Sequence, residues 1–64
     1  MAVTKVAARR MLKDVGAKRI SEAAALELAE VVNGFAYAVA KKAVKLAAHA
    51  KRSTIMKEDV DLAK

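Results

Sequence analysis

The sequence has no cysteine, no proline and no tryptophan, only two glycines, and a single His49, Phe35 and Tyr37. Without cysteine there is neither a disulfide nor a thiolate metal site. One histidine cannot furnish the ligands of a zinc site within one chain, so no metal and no cofactor is expected. Two scattered aromatics cannot form the stacking platform that holds single-stranded bases. There is no cysteine nucleophile, no phosphate loop and no carboxylate–histidine motif, so no enzyme and no small-molecule substrate is expected. No run of about 20 apolar residues is free of charge, and no membrane-crossing helix is expected. The N-terminus lacks the apolar stretch of a secretory signal. The expected location is therefore intracellular.

What remains is helix. Alanine, the best helix former, occurs 16 times in 64 residues, and the absence of proline leaves nothing to interrupt it. The length suits one domain, taken as residues 1–64. A chain this short buries only about 60% of its unfolded surface, and a lone core rarely supplies more than roughly 3–5 kcal/mol. With disulfides and metals excluded, self-association is the remaining source of buried surface. A homodimer is expected.

Thirteen Lys and Arg against seven Asp and Glu give a formal charge of +6. The excess lies at the front: Lys5, Arg9, Arg10, Lys13, Lys18 and Arg19 face only Asp14. Such clustering is the electrostatic footprint of a nucleic-acid binder. A basic amphipathic peptide acting on membranes is a rival reading of the same charge. It predicts helix only on anionic lipid.

Residues 4–15 read as a short amphipathic helix, with Ala8, Met11, Leu12 and Val15 on one side. Gly16 stands where a left-handed helix stop is wanted, and residues 1–3 are expected to fray. Ser21 caps a second helix, and Glu22 suits its positive end. That helix runs to about Ala50, a rod of about 43 Å at 1.5 Å per residue. Leu28, Val32, Phe35, Val39, Ala43, Leu46 and Ala50 alternate steps of four and three along it, a seam that asks for a partner helix. Leu28, Val32, Phe35 and Val39 are the expected dimer core. Gly34 would permit close approach at the crossing. A basic connector, residues 51–56, leads to a last short helix from about Lys57.

This short–long–short arrangement resembles the histone fold, and the archaeal histones in particular. The likeness covers about residues 4–63. It rests on Lys13-Asp14-Val15-Gly16-Ala17-Lys18-Arg19-Ile20-Ser21, on Ala43-Val44-Lys45-Leu46-Ala47-Ala48-His49-Ala50, and on Arg52-Ser53-Thr54-Ile55 continuing to Glu58-Asp59-Val60. The resemblance implies an all-α histone fold and a handshake dimer whose long helices cross antiparallel. It also implies sequence-tolerant binding, wrapping and compaction of double-stranded DNA, with the protein associated with the nucleoid.

Site roles follow from the same resemblance. Arg10 and Lys13, beside Arg9, match first-helix phosphate contacts, and Arg19 matches a loop arginine reaching into the minor groove. Thr54 is similar to the hydroxyl that positions it, with Lys51 and Ser53 in the same connector. Arg52 and Asp59 match a structural ion pair. Leu46, His49 and Asp59 match positions joining dimers into tetramers or polymers, and Gly16 matches a glycine that allows close stacking in extended assemblies. The chain departs from the family where Ser53 replaces a commonly basic residue and Lys51 a common glycine. The resemblance also leaves a second role open, as a dimerisation module of a transcription regulator with a different partner chain.

Overall fold

A computed structural model of the chain describes residues 3–64. Among these, three helices follow one another, α1 (Lys5–Asp14), α2 (Glu22–His49) and α3 (Lys57–Ala63), and there is no strand. The fold is all-α. The chain divides into two compact units, one reaching to Gly34 and the other spanning Phe35–Lys64.

In the first unit each helix start is capped by a hydroxyl. Thr4 Oγ1 accepts from the Ala7 N–H at 3.1 Å, and Ser21 Oγ accepts from the Ala24 N–H at 3.0 Å. Each bond satisfies one of the orphan amides of a first helical turn. α1 ends in a Schellman motif: the Gly16 N–H donates to the Lys13 carbonyl and the Ala17 N–H to the Leu12 carbonyl, both at 3.0 Å. The motif requires a positive φ, and Gly16 adopts +109°. Val3, expected to fray, is instead clamped to α2. Its N–H donates to Asn33 Oδ1 at 2.7 Å, and Asn33 Nδ2 donates to its carbonyl at 2.9 Å. Met1 and Ala2 lie outside the described residues.

The second unit closes α2 by the same device without a glycine. The Lys51 N–H donates to the Ala48 carbonyl and the Arg52 N–H to the Ala47 carbonyl, both at 2.9 Å. Lys51 itself takes φ +60°, the left-handed region that an L-residue enters at a cost of roughly 1–2 kcal/mol.

The apolar residues buried are all small. Ala8, Ala25 and Ala29 form the interior of the first unit, and Ala43, Ala47 and Ala63 that of the second. No large side chain is fully buried among the described residues. Phe35 is 65% exposed, Val31 58% and Val44 55%, while Leu28, Val32, Val39 and Leu46 are half-buried. Alanine on the inner face lets helices approach closely, but it leaves the bulky residues of α2 half-buried or exposed.

α2 also meets a length-and-composition test for a membrane span, with a mean hydropathy of 1.3 over eighteen residues. The sequence leads to the opposite expectation, and the difference lies in how charge is counted. An average tolerates Glu27 and Glu30, whereas the bilayer does not: a charge at the helix centre costs about 2.5–3.5 kcal/mol even on insertion scales. The uncharged stretch, Val31–Ala40, rises about 15 Å, half of a hydrocarbon core of about 30 Å.

Candidate nucleic-acid interface

The front cations fall into two groups. Lys5 and Arg9 turn toward the start of α2, where both bind the Glu22 carboxylate; the Arg9–Glu22 bond is 2.8 Å. Arg9 also donates to the Ile20 carbonyl at 3.1 Å. The hydrogen bond from Lys5, then its charge, then Arg9 hold the Glu22 carboxyl below its ordinary value, against desolvation, which raises it. These contacts fasten the connector 15–21 to α1. Arg10, Lys13, Lys18 and Arg19 are exposed, and among the described residues none of them has an ion-pair partner. Arg10 and Lys13 line a shallow groove of about 640 Å³ with Thr4 and Val6. Arg9 and Asp14 line the same groove, so its cations outnumber its one anion. With Lys18 and Arg19 in the following loop, the surplus suits an external anion.

The second unit builds its connector around Asp59. Arg52 grips this carboxylate through two bonds of 2.9 and 2.8 Å, and the Met56 N–H donates to Asp59 Oδ2 at 2.8 Å. Arg52 also donates to the Thr54 carbonyl at 3.1 Å. Asp59 is only 3% exposed, so its charge persists through these donors rather than through water. The Arg52 hydrogen bonds and then the Met56 N–H hold its pKa down to about 2, against a desolvation that pushes the other way. In turn Asp59 raises the pKa of Arg52. With the backbone so braced, Lys51, Ser53 and Thr54 are all exposed.

A second groove, of about 410 Å³, is lined by Lys42, Lys45, Leu46, His49, Leu62 and Ala63. It brings together Leu46 and His49 but not Asp59, whose carboxylate is committed to its own connector. Gly16 is in the other unit, at the end of α1.

Comparison with known proteins settles the family. The profile described as "Histone-like transcription factor (CBF/NF-Y) and archaeal histone" matches residues 4–63. The chain belongs to this histone family. "Probable archaeal histone 3" of Methanocaldococcus jannaschii is 50% identical over 54 residues, 84% of this chain and 81% of the relative. One of the chains of the archaeal histone HAN1 of Thermococcus zilligii is 48% identical over the same length and shares. The three helices are thus those of a histone fold.

Two features of this histone-family chain are not visible in its sequence. The Asn33–Val3 clamp joins residues 30 apart, and no local pattern announces it. Arg9 lines the groove with Arg10 and Lys13 and at the same time binds Glu22 and the Ile20 carbonyl. The two opposite charges carry a signal for this, but Glu22 on its own reads as favourable helix-end electrostatics.

Proposed function

We propose that this chain binds, wraps and compacts double-stranded DNA without reading its sequence, acting as a homodimer clasped in a handshake. The observation that carries the reading is the division among the front cations. Lys5 and Arg9 pair with Glu22, whereas Arg10, Lys13, Lys18 and Arg19 keep their charge for a polyanion. Membership of the histone family supports it independently.

The dimer follows from the exposed apolar face of α2. A partner helix would cover Phe35, Val31 and the half-buried Leu28, Val32 and Val39, which the chain's own alanine interiors leave open. The family match runs across both compact units, and we take them as halves of one domain, completed by a second copy. Pairing the first connector of one copy with the second connector of the other would set Arg19 near Thr54, Lys51 and Ser53. Arg10 and Lys13 form the remaining phosphate contacts. Arg9 lines the same groove while it holds Glu22, so it braces the connector and adds its charge to theirs. Dimers would associate further through Leu46 and His49, into tetramers or along DNA, and the protein would reside on the nucleoid. Its role is structural rather than catalytic.

The mechanism is neutralisation of phosphate with release of condensed counterions. The logarithm of affinity should fall against the logarithm of salt with a slope of about −0.9 per phosphate contact. Elastic bending costs several kcal/mol per site, which favours flexible sequences without base contacts. Arginine entering inward-facing minor grooves is how wrapped DNA is held in nucleosomes. The test is a salt titration of binding to duplexes of unrelated sequence, repeated with Arg19→Ala. We expect similar affinities for all duplexes, a steep slope, and a shallower one in the variant. Affinity indifferent to salt, or confined to one sequence, would refute the proposal.

A further inference from the structure

The charges of α2 are segregated in a way that a single chain does not repay. In the first unit Glu27 and Glu30 are exposed, and in the second Lys41, Lys42 and Lys45 are exposed. None of the five has an ion-pair partner among the described residues. Within the helix they meet only their own sign. Glu27 and Glu30 stand at i,i+3, Lys42 and Lys45 at i,i+3, and Lys41 and Lys45 at i,i+4, spacings at which like charges destabilise. The helix macrodipole does not account for the pattern, because its effect fades within the first and last turns. Glu30 comes eight residues after Glu22, where α2 begins, and Lys41 eight before His49, where it ends. Attraction to DNA would explain the lysines and leave the glutamates unexplained.

A second copy explains both. We infer that the two charge blocks orient the dimer and select a like copy, acting chiefly through Glu27 of each chain and Lys45 of the other, which flank the seam on one side. This rests on the homodimer proposed above. Running antiparallel about residue 36, the copies set Glu27 level with the partner's Lys45 on the same side of the seam. Glu30, about 140–160° round the helix from Phe35, Val32 and Leu28, is turned away from it. A parallel pair would set glutamate on glutamate and lysine on lysine. Opposite charges at such places act through a field reaching about 8–10 Å in ordinary salt. They fix direction and partner choice while the apolar seam between them supplies adhesion. Gly34, where an added Cβ would meet nothing within 4 Å, stands close to that centre.

The test uses three variants of the full chain: Glu27→Lys with Glu30→Lys; Lys41→Glu with Lys42→Glu and Lys45→Glu; and all five together. Sedimentation equilibrium at low and high salt reads the dimer dissociation constant. Each half-variant should lose at least about tenfold in self-affinity at low salt, the loss shrinking as salt rises. An equimolar mixture of the two should recover tight dimers. The five-fold variant should recover them too, although its charges are reversed against the helix dipole. That recovery separates pairing between chains from any effect within one helix, and it shows that a half-variant unfolded on its own was missing a partner. Half-variants as tight as the parent, or a five-fold variant as weak as they are, would overturn the inference while leaving the dimer standing. A parent that is monomeric at every concentration would overturn the dimer and this inference together.

Discussion

Lys51 holds a backbone conformation that a glycine would hold at less cost, and replacing it separates stability from DNA affinity. At φ +60° the Cβ of an L-residue is strained by roughly 1–2 kcal/mol. Lys51→Gly removes that strain and returns part of it, because glycine loses more chain entropy on folding, about 0.5–1 kcal/mol. The net gain is about 0.5–1 kcal/mol per chain, and about twice that for a unit of two chains. With an unfolding entropy of about 2.1 cal/mol/K per residue, a dimer should gain roughly 4–7 °C in midpoint. Lys51→Ala keeps the strain and removes only the charge, so its midpoint should stay with the parent. Both variants lose the same cation, so both should show the same reduced salt slope on DNA, by up to about 0.9 per lost phosphate contact. Thermal denaturation followed by circular dichroism, at matched protein concentration, is the assay. A Lys51→Gly midpoint at or below that of the parent would refute the reasoning.

Further outcomes follow from the same geometry. Gly16→Ala should destabilise by about 1–2 kcal/mol even though the added methyl meets nothing within 4 Å, because φ +109° is strained for any L-residue; an unchanged urea midpoint would contradict this. Asp59 titrates near 2 when folded and near 3.8 when not. Its stabilisation should be complete above pH 3.8 and disappear as the pH falls toward 2, and an Asp59→Asn variant should lack that part of the acid transition. Gly34→Leu should weaken self-association if the partner helix passes over this position. Gly34→Ala on a solvent-facing surface would instead raise stability by about 0.5–1 kcal/mol, and a stabilised dimer in both variants would remove Gly34 from the crossing.

Much of the fold is legible because its signals are local. Ser21, Gly16 and the absence of proline mark helix ends through groups only a few residues apart. The expected spans 4–15 and 21–50 therefore lie within about a residue of Lys5–Asp14 and Glu22–His49. The left-handed Lys51 is legible only because the family usually has glycine there. Contacts that depend on the chain folding back are not legible, as with Asn33 and Val3, or Arg9 and the Ile20 carbonyl. The seam of α2 presents a related problem. Its period indicates an apolar stripe, but period alone does not reveal that alanine takes the interior while Phe35 stays outside. Asp59 carries two expected roles, of which the single chain displays one, the ion pair with Arg52.

Every part of the proposed function requires the exposed face of α2 to be covered by another copy of the same chain. Sedimentation equilibrium of the purified protein without DNA, at micromolar concentration, measures this directly. A species of twice the 6.8 kDa chain mass, dissociating with loss of helix on dilution, is the expected result. A fully helical particle of single-chain mass at every concentration would contradict it.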